Sequence, residues 1–252
     1  MTESYILCEG YHDRAFWKGL LLSLGCKSLG IPGTTPKDPW GDPVRGGQYA
    51  FQGHKGGFIR VVPAGSRRQL LPLARIRISQ RADRPLRLLI VNSDSDQNAD
   101  GTPAHHGELA FDTLLGLARG NDSRAAKSHE HVIAFDEGEV QILAFPWRSS
   151  LPPAPGLPNQ QSLERLVCGV LATVHPDRPA PVDHWLKSRP APPPSNPKEH
   201  AFSYLAGWYA AYGSYEGFFE ALWNEPAIAQ GFRTELERQG VWALLEDIAE
   251  AH

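Results

Sequence analysis

The segment that most restricts what this chain can fold into is Leu86-Arg87-Leu88-Leu89-Ile90-Val91-Asn92-Ser93-Asp94-Ser95-Asp96, an aliphatic run ending on two carboxylates separated by one serine. A run of this length without polar alternation reads as a strand buried on both faces of a parallel sheet. Asp94 and Asp96 then stand at the carboxyl edge, where open α/β sheets gather their ligands.

A second stretch has the same design. Ser4-Tyr5-Ile6-Leu7-Cys8 is a short apolar strand that ends on Glu9-Gly10. Asp13 follows in the first turn of an amphipathic helix whose apolar positions are Phe16, Trp17, Leu20, Leu21 and Leu24. Glu9 is therefore a strand-end acid. Asp13 is a second acid of the same turn, or a cap for the helix.

With 252 residues, 41% of them hydrophobic, the chain can bury a full core as one large or two small domains. No apolar run approaches the ~20 residues of a membrane helix, and the N-terminus lacks the basic-then-apolar order of a signal peptide. These features predict a cytoplasmic protein without a membrane partner. Cys8, Cys26 and Cys168 are too scattered for a disulfide framework or a zinc site and read as buried small hydrophobes.

The net charge of −3 argues against a protein that coats DNA, but the charge is uneven. From Val44 to Leu88 there are ten basic residues against one acid, Asp83, whereas Tyr215 to His252 carries eight acids against two bases. A basic face beside a carboxylate cluster suits a phosphate-backbone substrate; a solvated helix face accounts for the same charges.

Between these landmarks, Gly30 to Gly57 is rich in Gly and Pro and reads as a long loop. Phe58 to Val62 is the next strand, and Ser66 is placed to cap a helix from Arg67 to about Gln80. Glu108 to Leu117 is predicted helical. Val132–Phe135 and Val140–Phe145 flank Asp136-Glu137-Gly138-Glu139, a turn signal that predicts a hairpin. Further on, a helix is expected from about Gln160 to Ala172. His175 to Pro197, with Pro190-Ala191-Pro192-Pro193-Pro194, should be an extended connection. The remainder reads as helices over Lys198–Tyr212, Tyr215–Trp223 and Phe232–Ala251.

Glu9-Gly10-x-x-Asp13 after a first strand, with Asp94-x-Asp96 after a later one, resembles the Toprim domain of primases, topoisomerases, RecR proteins and OLD-type nucleases. The helix opening Asp13-Arg14-Ala15-Phe16-Trp17 is most similar to the OLD-like branch and to small Toprim-like proteins near it. The resemblance covers roughly the first 150 residues, an ordinary domain size. It implies an α/β fold, a Toprim-like mostly parallel sheet with helices on both faces, over residues 1–150. A proline-rich connection and helical extension would pack on it over 151–252.

The resemblance also carries residue roles. Glu9, Asp94 and Asp96 match the acids that hold the principal metal, and Asp13 matches the acid used toward a second. Glu164 in Ser162-Leu163-Glu164-Arg165-Leu166 resembles an acid contributed by a later helix, and a solvated helix residue is its alternative. Lys198 would be the lysine that stabilises the scissile phosphate. Gly65-Ser66-Arg67-Arg68 resembles the turn that carries basic residues toward phosphate. Apart from the resemblance, Lys55 in Gly53-His54-Lys55-Gly56-Gly57 is a further candidate, although the stretch lacks the spacing of a Walker motif and reads equally as a flexible loop. Adjacent parallel strands lie ~4.8 Å apart, so acids at their ends can share one cation. Mg²⁺ or Mn²⁺ would suit such a set of oxygens.

Asp96-Gln97-Asn98-Ala99-Asp100-Gly101 also opens like a calcium loop, but position twelve of that motif falls on Gly107. The expected function is metal-dependent hydrolysis of nucleic acid, DNA or RNA, with a homo-oligomer as a further expectation; the OLD likeness implies a partner ATPase supplied in trans to a subunit that does not cut. A nucleic-acid-binding or regulatory subunit that cuts nothing is the alternative, and a phosphatase of small molecules a third.

Overall fold

The structure is a computed structural model that describes residues 2–30, 34–95, 97, 109–152, 155, 157–188 and 214–250. It divides into two compact units, Met1–Ser93 with Leu109–Phe145 and Ala243–His252, and Asp94–Glu108 with Pro146–Trp242.

The first unit is built on an eight-stranded sheet of order β2-β3-β4-β1-β5-β8-β7-β6. The strands are β1 (Glu3–Cys8), β2 (Lys27–Ser28), β3 (Tyr49–Gln52), β4 (Phe58–Pro63), β5 (Leu86–Asp94), β6 (Ala126–His129), β7 (Val132–Phe135) and β8 (Gly138–Trp147). At its centre β1 pairs in parallel with β4 and with β5. The wings are antiparallel: β2 with β3, β3 with β4, β6 with β7 and β7 with β8. The α/β architecture expected from sequence is present, with its parallel strands confined to the middle of a larger mixed sheet.

Helices cover both faces of that centre because the strands alternate their side chains. Leu7, Leu89 and Val91 join Leu70, Ala74 and Ile78 of α2 (Arg67–Ser79) and Leu114, Leu115 and Ala118 of α3 (Phe111–Asn121) in one core. The opposite face receives α1 (Tyr11–Ser23), whose Phe16, Trp17, Leu20 and Leu21 are buried. Burying each such side chain is worth about 1.5–3 kcal/mol.

Asn92 fixes this second face. Wholly buried, its side-chain oxygen accepts from Trp17 Nε1 at 3.0 Å and its amide donates to the Phe145 carbonyl at 2.9 Å. The Trp17 and Phe145 rings meet edge to face at 6.1 Å. A buried amide satisfied on both sides pins helix and strands in one register.

The second unit contains α4 (Leu163–Val174), α5 (Pro179–Ser188), α6 (Tyr215–Asn224) and α7 (Pro226–Arg238). Gly231 of α7 lies so close to α4 that an added Cβ would come within 2.5 Å of Val170 Cγ1. The Trp223 and Phe232 rings meet at a tilt with centroids 4.9 Å apart, and Glu235 accepts from the Ser150 backbone N–H at 2.7 Å and its hydroxyl at 2.6 Å. The final helix, α8 (Trp242–Glu250), returns most of its length to the first unit, where the His54 N–H donates to the Ala249 carbonyl at 2.8 Å.

Four readings of the sequence need correction. The Gly30–Gly57 loop contains β3, and the extended connection from His175 contains α5. Prolines 179 and 181 sit in its first turn, where their missing N–H groups cost nothing. The helix expected over Phe232–Ala251 is two helices, because the Val241 N–H donates back to the Leu236 carbonyl and Gly240 adopts φ +72°. That geometry ends a helix, and glycine takes it without strain. Ser66 occupies the cap position of α2, yet its side chain makes no capping bond. No helix among the described residues is long and apolar enough to cross a membrane.

Candidate functional site

The carboxyl ends of β1 and β5 define the edge to which the sequence assigns chemistry. Their parallel register sets Cys8 opposite Asn92, so Glu9 follows directly after the last paired residue of β1 and β5 runs on to Asp94. Glu9 and Asp94 are each half-buried.

Between Glu9 and α1 the chain makes a tight turn held by Asp13. Its Oδ2 accepts the Gly10 N–H at 2.8 Å, and the residue is 7% exposed. An acid here also meets the positive end of the helix dipole. Asp13 thus does the capping that its position allowed for. Burial, with the charge of Asp13 next in weight, pushes the Cys8 thiol well above its ordinary range, which keeps Cys8 a neutral packing group.

Asp94 has an analogous place in the second unit. Its Oδ1 accepts the Leu163 N–H at 3.1 Å, at the first position of α4, while the Ser162 hydroxyl accepts the Arg165 N–H at 3.3 Å. Two of the orphan donors of that helix start are thereby satisfied. Glu164 is the next residue after Leu163 and is itself 7% exposed. The solvated surface position open to Glu164 from sequence is therefore not the one it occupies, and Asp94 is bonded to the amide immediately before it.

Asp96 and Lys198 lie outside the described residues. Lys55 and Arg68 are exposed and Arg67 is half-buried at the start of α2. Among the described residues no group of three or more His, Cys, Asp and Glu is arranged to hold a metal ion. The donor chemistry of Glu9, Asp13, Asp94 and Glu164 is uniformly carboxylate oxygen, which fits a hard divalent cation rather than zinc or copper.

Six of the ten basic residues between Val44 and Leu88 pair within the chain, and two of these six, Arg60 and Arg77, are buried. Arg60 donates to Glu3 Oε1 at 2.7 Å and to Asp38 at 2.7 Å, and Arg77 holds Glu3 Oε2 at 2.8 Å. These four side chains are all nearly inaccessible. Arg81 pairs with Asp122 at 2.8 Å, Arg84 with Asp42, Arg87 with Asp247, and Arg75 with the Asn121 side chain at 3.1 Å. Burial lowers the Arg60 pKa, but Glu3 and then Asp38 outweigh it and leave the guanidinium above its ordinary value. The partners Glu3 and Asp38 are distant in sequence, so no local charge count exposes the pairing.

Sequence reasoning passed over Asn92, which ties α1 to the sheet through Trp17. Its signal was a lone amide inside an aliphatic run, two residues before the strand-end acid.

No protein-family description and no curated protein matches the sequence. The fold is similar to that of the hypothetical protein PH0156 from Pyrococcus horikoshii OT3, with a TM-score of 0.68 and 16% identity over 98% of this chain and 99% of that one. At that level of identity the likeness speaks for a shared α/β architecture.

Proposed function

We propose that the chain is a Toprim-like nuclease that hydrolyses phosphodiester bonds of DNA or RNA with Mg²⁺ or Mn²⁺. The observation that carries this reading is the register of β1 and β5: Cys8 stands opposite Asn92 in neighbouring parallel strands, Glu9 follows the end of β1, and Asp94 is the last residue of β5. Acids at such an edge would repel one another unless a cation offset them.

The bound metal would supply a hydroxide nucleophile and neutralise charge on the phosphate. Glu9, Asp94 and Asp96 would hold it, with Asp13 and Glu164 toward a second ion. The chain's own contribution is positioning. Asn92 and Trp17 fix α1 behind the Glu9 turn, and the Leu163 N–H orients the Asp94 carboxylate.

The capping bonds already made by Asp13 and Asp94 favour a second reading, a nucleic-acid-binding or regulatory subunit that cuts nothing. Titrating Mn²⁺ with plasmid, single-stranded DNA and tRNA separates the two. The nuclease reading expects cleavage that Asp94→Ala lowers by at least about a hundredfold, the scale on which loss of one charge-stabilising group acts. Binding without cleavage in both proteins would establish the second reading instead.

A further inference from the structure

The surface directly beyond Glu9 carries an aromatic and cationic strip that the carboxylate chemistry does not use. Tyr11, the first residue of α1, is 55% exposed despite its large apolar ring. Arg14, one turn further, places its guanidinium carbon 4.9 Å from the Tyr11 ring centroid and 4.3 Å from that of Tyr49 on β3. Lys18, at the next turn, sets its ammonium 5.6 Å from the Tyr49 ring. Residues 11, 14 and 18 share one helix face, so the strip runs along α1 away from the Glu9 turn.

The strip is held in shape by the backbone. Arg14 Nη1 donates to the Gly47 carbonyl at 2.8 Å. Gly47 has φ +86°, and a Cβ there would lie 3.7 Å from Tyr11 Cε1, so the loop closes against the ring. Tyr49 is further braced edge to face by Phe51 at 6.4 Å. Tyr11 is thus exposed beside half-buried Arg14, Lys18 and Tyr49 on the first unit, with the Arg14 guanidinium over both rings.

We infer that Tyr11, Arg14, Lys18 and Tyr49 form a binding strip for single-stranded nucleic acid, Tyr11 stacking an unpaired base and the two cations meeting the adjoining phosphates. Exposed aromatics beside fixed cations are what sequence-tolerant recognition of single strands requires, since every base offers a π face. Duplex bases are stacked on each other and offer no such face to a surface tyrosine. The strip deepens the nuclease reading and rests on it for its role: it would deliver a single strand to the acids at the adjoining turn.

The test measures anisotropy of dye-labelled oligothymidylate, oligouridylate and a duplex of matched length in EDTA, so that binding is read without cutting. Tyr11→Ala should weaken single-strand binding about five- to a hundredfold, and Tyr11→Trp should restore it. The two oligonucleotides separate DNA from RNA as the natural strand. On the unaltered protein, photocrosslinking to a bromodeoxyuridine oligonucleotide should map to the peptides carrying Tyr11 or Tyr49.

Absent single-strand binding, equal affinity for the duplex, indifference to Tyr11→Ala, or crosslinks confined to other segments would each overturn the inference. Cleavage by Asp94→Ala protein at the parent rate would overturn the nuclease reading alone, leaving the binding strip standing.

Discussion

Glu3 holds two arginines at the start of β1, the strand whose far end leads into Glu9. Both of its oxygens are occupied, and the residue is 1% exposed. Removing one member of such a buried network leaves the others charged and desolvated, at a cost of roughly 3–5 kcal/mol. Glu3→Ala should therefore lower stability in a urea titration by about that free energy, while Asp83→Ala in an exposed turn should move it by less than ~0.5 kcal/mol. Equal effects of the two substitutions would show that Arg60 and Arg77 find other partners. Charge runs in a sequence are silent about such pairing, because Asp38, Asp122 and Asp247 reach the basic segment from elsewhere in the chain.

Elements show where sequence pattern was informative. The aliphatic runs of β1 and β5, the 3.6-residue apolar stripe of α1, and the hairpin of β7 and β8 were legible because burial imposes those periods directly. Asp94 was legible for the same reason, as the first polar acid after a buried run. What escaped was set by partners distant in sequence. The short β3 is a strand because Phe51 pairs with Ile59 of β4, and α5 exists although its prolines suggest an extended chain. The capping duty of Asp94 was hidden likewise, since an acid's type does not say which amide it meets, whereas that of Asp13 was open from its place in the first turn.

Packing between helices gives a sharper test at this scale. Gly231 lets α7 approach α4, and a methyl group there would overlap Val170. Gly231→Ala should destabilise the second unit by about 1–3 kcal/mol despite the better helix propensity of alanine. Pairing it with Val170→Ala should recover part of the loss, a coupling that a double-mutant cycle in urea would measure.

For the molecule as a whole, alkaline conditions probe the first unit. Burial, reinforced by Glu3, pushes Tyr5 from 10.0 up to about 12, and burial with Glu250 pushes Cys26 from 9.0 up to about 11. In both cases the folded state keeps a proton that the unfolded chain has already lost, so stability is fully present below the unfolded pKa and falls as pH rises toward the folded one. Between pH 10 and about 12 the urea midpoint should drop, and Tyr5→Phe should drop less, a difference of up to about 2 kcal/mol. Parallel curves for the two proteins would assign the alkaline loss to other groups.

The return of α8 to the first unit makes that unit discontinuous along the chain, since Ala249 caps the turn at His54 and Asp247 meets Arg87. Ribosomal synthesis runs in one direction, so the strands of this unit must wait until the residues from Ala243 onward have been made before their last neighbours emerge. Nascent chains stalled before Trp242 should accordingly stay protease-sensitive near His54, and become resistant there only once the closing helix has been released from the exit tunnel.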